Sequence, residues 1–575
     1  MKLKYIGMVA LTAIMIIGLH ACKKNYLEPQ PYTRYLPEQL QSKKGIEGLL
    51  VGAYGMLDGQ GISGASGWMV GATNWVYADV VSDDAYKGTD ANDQPQMSEI
   101  ELYATQAANT YFYYKWLALY DGVTRANNVI KMADEVTELT EAEKTNYIAQ
   151  ARFLRGHYHF DAKRHWNKVP FISETTTSYD NKGDIWPKIE EDFKYAYDNL
   201  PVTQALVGKA NKWAAAAYLA KVYMYQKKFQ EAKNLYDLII AEGQTSNGKK
   251  YALQPEYSMN FNASFENSAE SVFAQQASAS GTITAAAETS YELAYPYGGD
   301  FGCCGFFQPS QNLVNAFKVS DKGLPLLDGS YNNTNLKNDE GISASDPFTN
   351  DNVTPLDSRL DWTAGRRGIS YWDWGGHPGR SWIRDQAYAG PYSPKKHVYQ
   401  KSDIGVLTNG GTNHRQTAKN YNIIRYADVL LMAAEAEIEL GNLDKGREYI
   451  NLVRARAANA AGFVKDAADN SKPAANYQVG QYTEPFTDKA TAINAVRFER
   501  RLELAMEGHR FFDLVRWGIA AETLNAYVEK EKERRSYLKS SGGFTKGKNE
   551  YYPIPNRVIE IAKVGGNLLE QNPGY

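Results

Sequence analysis

The sequence predicts a mostly α-helical protein: about four tetratricopeptide-like helix pairs that carry a large, irregular, loop-rich subdomain. Three observations predict it. Within Tyr421 to Ala457, YNIIRYADVLLMAAEAEIELGNLDKGREYINLVRARA, apolar residues recur at three- and four-residue steps (Tyr426, Val429, Leu430, Ala433, Ala434, Ile438). That is the period of a helix with one buried face. Gly441-Asn442 breaks it, and a second helix starts at Leu443, so the short connection makes an antiparallel hairpin. The same pattern occurs at Trp213 to Glu242, with Phe229 on Leu443, Ala232 on Gly446 and Tyr236 on Ile450. A small residue at Ala232 or Gly446 lets two helix backbones approach, and units that cannot bury their faces alone must stack. Third, the periodicity vanishes between Gln254 and Gln416, where Gly, Asn, Asp, Ser, Pro and aromatic residues dominate. A structureless loop of that length does not suit a compact protein, so the segment reads as a subdomain packed on the helices.

In chain order, Lys2 and Lys4 precede an apolar run, Ile6 to Leu19, that ends in Leu-His-Ala-Cys at Leu19 to Cys22. A charged start, a short apolar core and a small residue before the cut predict a signal peptide over residues 1–21. Cys22 falls where a lipoprotein signal places its acylated residue, and several acyl chains there would hold the protein stably at a membrane. Residues 22–39 hold three prolines and no helical period, so they read as an extended tether. A helical part over 40–253 follows. It contains helices at Leu40 to Leu57, Trp75 to Val81, Tyr111 to Val136, Glu141 to Trp166 and Trp186 to Leu200, then the unit from Trp213. Residues 254–416 form the irregular part and 417–575 a second helical part.

Composition excludes one class of partner. A net charge of −3 and an isoelectric point near 6.3 supply no basic footprint for nucleic acid. The 41 Tyr and 11 Trp exceed what a core requires, and such rings are favoured where flat apolar faces meet ligands.

IIRYADVLLMAAEAEIELG, INLVRARA, ERRLELAMEGHRFFDLVRWG and the closing YYPIPNRVIEIAKVGGNLLEQNPGY resemble the SusD/RagB family of outer-membrane nutrient-uptake lipoproteins of Bacteroidetes. The lipobox, WVYADVVSDDAYKG near Trp75 and RANNVI at Arg125 resemble the family's N-terminal half, so the likeness spans essentially the whole mature chain. It implies a SusD-like fold and a non-enzymatic role. Such a protein binds glycans, or in some branches peptides, at the cell surface and covers a SusC-like TonB-dependent transporter. It implies no cofactor, and it leaves the ligand open, because the family's binding residues vary.

The residues themselves suggest where a glycan would sit. Asp361 to Trp382, DWTAGRRGISYWDWGGHPGRSW, holds four tryptophans, and sugars bind by stacking on aromatic rings with hydrogen bonds from Asp, Asn and Arg. Trp362, Trp372 and Trp374 are therefore the candidate stacking groups, with Asp361, Asp373 and Arg366 as hydrogen-bonding partners. The resemblance implies a pocket drawn from loops of both halves of the chain, so Trp68, Tyr86 and Tyr297 complete the candidate face. The competing reading makes these rings the core of a strand-poor subdomain.

Other clusters read as structural. Glu499, Glu503 and Glu507 share a helix face, which could suit metal or acid–base chemistry, but Arg497, Arg500, Arg501 and Arg510 interleave them as on a salt-bridged helix. His157 and His159 stand two apart and point to different sides, so they do not chelate one ion. Asp83, Asp84, Asp90 and Asp93 lack the spacing of a calcium loop, and loop capping accounts for them. No metal site is expected. Cys303 and Cys304 are adjacent, and either a vicinal disulfide or two buried thiols fits. A glycoside hydrolase would need a carboxylate pair in a cleft, and a scaffold or peptide binder would use the concave helical surface.

Overall fold

The computed structural model describes residues 40–410 and 414–575. The predicted signal peptide, the acylated Cys22 and the tether lie outside the described residues. The long helices are α1 (Lys43–Gly55), α2 (Thr110–Glu135), α3 (Glu141–Trp166), α4 (Trp186–Asn199), α5 (Lys212–Tyr225) and α6 (Phe229–Glu242). After the irregular region come α7 (Tyr426–Glu439), α8 (Leu443–Ala457), α9 (Lys489–Leu504), α10 (Arg510–Trp517), α11 (Ala520–Glu531) and α12 (Asn556–Val564). Each predicted helix of the first half is present within a few residues, except that Val76–Val80 is a π-helical turn.

Local chemistry sets the boundaries. Ser42 caps α1 by accepting from the Gly45 N–H, Asn109 caps α2, and Thr140 with Glu143 forms a reciprocal capping box at α3. Consecutive helices α2 to α6 pack on one another, α6 continues onto α7, and α7 packs on α8 and α9. Gly446 shows why a small residue was required. A Cβ built there would lie 2.4 Å from Ile438 Cγ1 and 3.0 Å from the Ala434 carbonyl. The chain end is folded in as well: Tyr552 N–H donates to the His165 carbonyl, and the Asn572 amide donates to the Trp166 and Tyr552 carbonyls.

Between the helical halves the chain forms short strands and 3₁₀ turns. Strand β1 (Ala85–Gly88) pairs antiparallel with β5 (Phe306–Pro309), and β2 (Ser271–Gln275) pairs antiparallel with β8 (Tyr421–Arg425). The hairpin β3 (Ser278–Ser280)–β4 (Ile283–Ala286) and the two-residue pair β6 (Ala364–Gly365)–β7 (Ser393–Pro394) complete the set. β1–β5 ties the first half of the chain to the irregular subdomain. A separate cluster of Tyr295, Phe301, Tyr371, Trp382, Val398 and Tyr399 is that subdomain's own core, with Trp374 and Ile404 packed against it.

Buried ion pairs join the halves. Glu499 meets Arg359 and Arg454, both at 2.7 Å, while Glu503 accepts from Arg359, Arg425 and Arg456. Glu507 accepts from Arg425 and from Lys396 (2.7 Å). The three glutamates are therefore structural, but their partners come from other segments rather than from the interleaved arginines. Those serve elsewhere: Arg500 holds Asp428 and Asp513, Arg501 holds Asp84, and Arg510 holds Asp83. Asp83 and Asp84 are thus buried ion-pair partners, not loop caps. Asp90 does cap its loop, accepting from the Asn92 and Asp93 N–H groups. His157 bonds the Tyr218 hydroxyl at 2.6 Å and His159 accepts from the Ile172 N–H, each buried on its own side of α3.

Candidate functional site

The loop after β1 and the loop before β7 face each other across an open cleft of about 1060 Å³. Asp90 lines one wall, and Glu340, Arg380, Arg384, Asp385 and Gln386 line the other. Arg384 bridges the walls. Its guanidinium donates to Thr89 Oγ1 (2.9 Å) and Asp93 Oδ2 (2.7 Å) and lies 2.7 Å from Asp90 Oδ2. The same guanidinium sits 5.4 Å from the centre of the Tyr297 ring. Desolvation works against the Asp90 charge, but the two backbone N–H groups and Arg384 outweigh it and hold that carboxyl below its ordinary range.

Tyr297 is half-buried, and its N–H donates to the Trp382 carbonyl at 2.9 Å. Its hydroxyl has no hydrogen-bond partner among the described residues. Trp382 stands edge-on to Phe301, with ring centres 5.0 Å apart, and packs on Tyr371 and His377. The 298–302 loop lies directly on this indole. Gly299 has φ +56°, and a Cβ there would come within 2.7 Å of Trp382 Nε1, so only glycine permits the arrangement. Cys303 and Cys304, which end that loop, are joined to each other, with Arg415 Nη1 3.0 Å from Cys304 Sγ. The site is thus a rigid aromatic shelf beside a clamped arginine, with exposed Asp300 and Arg380 at its edge. It offers an apolar ring face and several hydrogen-bonding groups, but no nucleophile–base pair is assembled among these residues.

The residues predicted from sequence divide between surface and interior. Tyr297 stands beside the cleft and does not line it: its ring centre is 5.4 Å from the guanidinium of Arg384, which does. Trp374 stands one ring away, 4.6 Å from Phe301, with its indole N–H on the Tyr399 carbonyl at 3.1 Å. Trp362 and Trp372 pack against each other with centres 5.1 Å apart, and their N–H groups bond the Gly462 and Lys395 carbonyls. Asp373 is exposed but accepts from the Lys401 and Ser402 N–H groups at 2.6 and 2.8 Å. Trp68 is half-buried on the main core.

Three candidates are corrected by their burial. Asp361 and Arg366 pair with each other at 2.7 Å through two hydrogen bonds, and Tyr477 donates a third to Asp361 at 2.6 Å. Tyr86 is fully buried in β1, with its hydroxyl bonded to Glu531 and to the Gln311 N–H. None of the three faces solvent, so they are interior residues. Sequence reasoning did not single out Arg384, Arg380 or Trp382 as binding groups, and it read Asp90 and Asp93 as loop caps rather than as part of a site. The available signal was two polar stretches, TDAND and GRSWIRD, whose opposite charges complement each other.

With the geometry in place, comparison decides the family. The SusD family model matches residues 269–575, more than half of the chain. The chain belongs to the SusD family. A second model, described as starch-binding associating with outer membrane, matches residues 25–224 of this SusD-family protein. Asp90 and Asp93 fall in that second match and Tyr297 and Arg384 in the first, so the cleft is built across the two. SusD-like protein P25 of Formosa agariphila is 24% identical and aligns over 98% of both chains. A solved laminarin-binding SusD-like protein is 23% identical, with a TM-score of 0.64 over 93% of this chain and 100% of its own. Surface glycan-binding protein A from Bacteroides thetaiotaomicron, in complex with laminarihexaose, is 20% identical, with a TM-score of 0.67 over 92% of this chain and 99% of its own. At these identities the two structures show a shared fold.

Proposed function

We propose that this protein captures a glycan at the Arg384 cleft and the Tyr297 ring beside it and passes it to a SusC-like TonB-dependent transporter, without cleaving it. Acylation at Cys22 would hold the protein in the outer membrane with the cleft on the cell surface. The carrying observation is the half-exposed Tyr297 ring held beside Arg384, whose guanidinium is itself clamped by Asp90 and Asp93. A ring face bordered by fixed polar groups is what sugar C–H faces and hydroxyls require. Membership of the SusD family and the fold shared with the laminarihexaose-bound protein support the ligand class.

Affinity electrophoresis through a panel of polysaccharides, laminarin included, tests the reading, with reducing-sugar release followed in the same samples. Retardation by a glycan without release of reducing ends is expected, and Tyr297→Ala should abolish it. Release of reducing ends would overturn the non-enzymatic role, and unchanged retardation of Tyr297→Ala would move the site elsewhere.

A further inference from the structure

Behind the cleft, in β1, Lys87 is fully buried. Lysine is almost never buried in this way unless it is paired, because its ammonium gives up water that something must replace. Among the described residues no carboxylate stands at salt-bridge distance from it. Backbone takes that place: Nζ donates to the Asp90 carbonyl at 2.8 Å and to the Asp93 carbonyl at 2.6 Å. The ammonium also faces the Tyr388 ring, 5.2 Å from its centre.

The loop is bent to make these bonds. Thr89 and Gln94, at its two ends, have φ +57° and +51°. That left-handed conformation is uncommon for any residue with a side chain and costly for a β-branched one, and it persists only where the surroundings over-determine it. Thr89 N–H donates to the Gly305 carbonyl at 2.5 Å, which fixes one end, and Gln94 leads into the short helix Pro95–Glu101 at the other. Between them the carbonyls of Asp90 and Asp93 turn inward onto Lys87, while their carboxylates turn outward onto Arg384. The opposite wall rests on the same lysine. Tyr388 belongs to the turn Gln386–Ala389, whose Gln386 and Ala387 line the cleft, and its ring is stacked on Tyr537 with centres 4.3 Å apart. The Tyr537 hydroxyl and the Lys87 backbone N–H both donate to Glu101 Oε1.

We propose that Lys87 is a positioning residue of the cleft: its ammonium gathers the loop from Thr89 to Gln94 so that Asp90 and Asp93 clamp Arg384, and it sets the spacing of the two walls. This rests on the reading of the cleft as the glycan site. Lys87 touches no ligand and acts through the clamp. Because both of its hydrogen bonds go to backbone, the carboxylates of Asp90 and Asp93 stay available for Arg384. Methionine in its place would keep the buried apolar stem but leave two carbonyls without a donor, and the loop would be free to leave its left-handed turns.

Two measurements on Lys87→Met test the proposal. The first needs no glycan: limited digestion with an endoproteinase that cuts before aspartate, mapped by mass spectrometry. Cuts before Asp90 and Asp93 should appear about tenfold or more faster in the variant, while Asp428 inside α7 stays as protected as in the unaltered protein. Unchanged loop cleavage overturns the proposal. So does equal acceleration at Asp428, which would make Lys87 a support of the whole fold. The second is a double-mutant cycle read by affinity electrophoresis through the polysaccharide panel. Lys87→Met alone should weaken retardation about tenfold, but less than twofold when added to Arg384→Gln, because the clamp is then already open. Losses that multiply would overturn action through Arg384. Absence of retardation of the unaltered protein by every polysaccharide would sink the glycan reading itself, with loop cleavage still deciding what Lys87 holds.

Discussion

Arg425, at the junction of β8 and α7, donates at once to the Glu503 carboxylate (2.5 Å) and to the Glu503 backbone carbonyl (2.7 Å). Both residues are essentially inaccessible to solvent. Glu503 also receives Arg359 and Arg456, which arrive from the irregular subdomain and from α8. One carboxylate therefore ties three segments together, and the three guanidiniums hold it well below the ordinary carboxylate range although burial alone would raise it. Removing one member of such a set leaves the others charged, buried and unpaired. Glu503→Gln is expected to cost about 3–5 kcal/mol of stability, read as a lower urea midpoint. A loss below about 1 kcal/mol would show that the network is already hydrated.

The buried titratable groups predict an unusual acid profile. Burial pushes His157, His159, His165, His377, His397 and His509 down to about 3 from 6.5. The unfolded chain binds those protons first, so each histidine withdraws stability as pH falls from 6.5 to 3. Burial acts oppositely on Glu101, Glu266 and Glu288, raised to about 7 from 4.5, and on Asp58, raised to about 6. The folded state takes those protons first, so these groups add stability as pH falls to 4.5. Between pH 6.5 and 4.5 these four carboxyls offset only part of what the six histidines withdraw. Below that the glutamates no longer oppose the histidines, and Glu507, Asp513 and Asp83, held near 2 by their cations against burial, begin to lose their pairs. The melting temperature should fall slowly from pH 6.5 to 4.5 and drop steeply beneath. A decline as steep above pH 4.5 as below it would show that the raised carboxyls are not protonated in the folded state.

The helices were legible because their signals are local. The spacing of Val429, Leu430, Ala433 and Ile438 needs no knowledge of what covers them, and Gly441-Asn442 ends the helix wherever it packs. The site was only partly legible because its determinants are not local. The indole N–H of Trp362 ends on the Gly462 carbonyl, and Tyr477 reaches Asp361 from far along the chain. Nothing in DWTAGRRGISYWDW announces that these rings and charges are satisfied within the protein. The Arg384 clamp joins residues nearly 300 positions apart. Glu503 carried the opposite ambiguity: its spacing suggested neighbours on the same helix, whereas the arginines that hold it enter from three other segments.

Gly446 makes the helix–helix approach testable. Valine there would place its branch against Ile438 Cγ1 and the Ala434 carbonyl, contacts that the α7–α8 hairpin cannot relieve by moving one flexible tip. Overpacking of this kind costs about 1–3 kcal/mol. Gly446→Val should lower the thermal midpoint, and Gly446→Ala should do so less. Unchanged midpoints for both would mean that the hairpin spreads freely.

The division between interior and cleft yields opposite expectations for two arginines that the sequence does not distinguish. Arg366 is buried and shares two hydrogen bonds with Asp361, so Arg366→Gln strands a carboxylate in the interior and should lower stability by about 3 kcal/mol or more. Glycan affinity of the folded fraction should stay within twofold. Arg384 is partly exposed and its removal leaves Asp90 and Asp93 in contact with water, so Arg384→Gln should cost no more than about 1 kcal/mol. The cost falls on binding instead: without the guanidinium beside it Tyr297 loses its fixed ring position, and affinity should drop about tenfold or more. Urea unfolding and affinity electrophoresis on both variants check the pair. If Arg366→Gln weakens binding of the folded protein while Arg384→Gln leaves it intact, the cleft is not the glycan site and the tryptophan window regains that role.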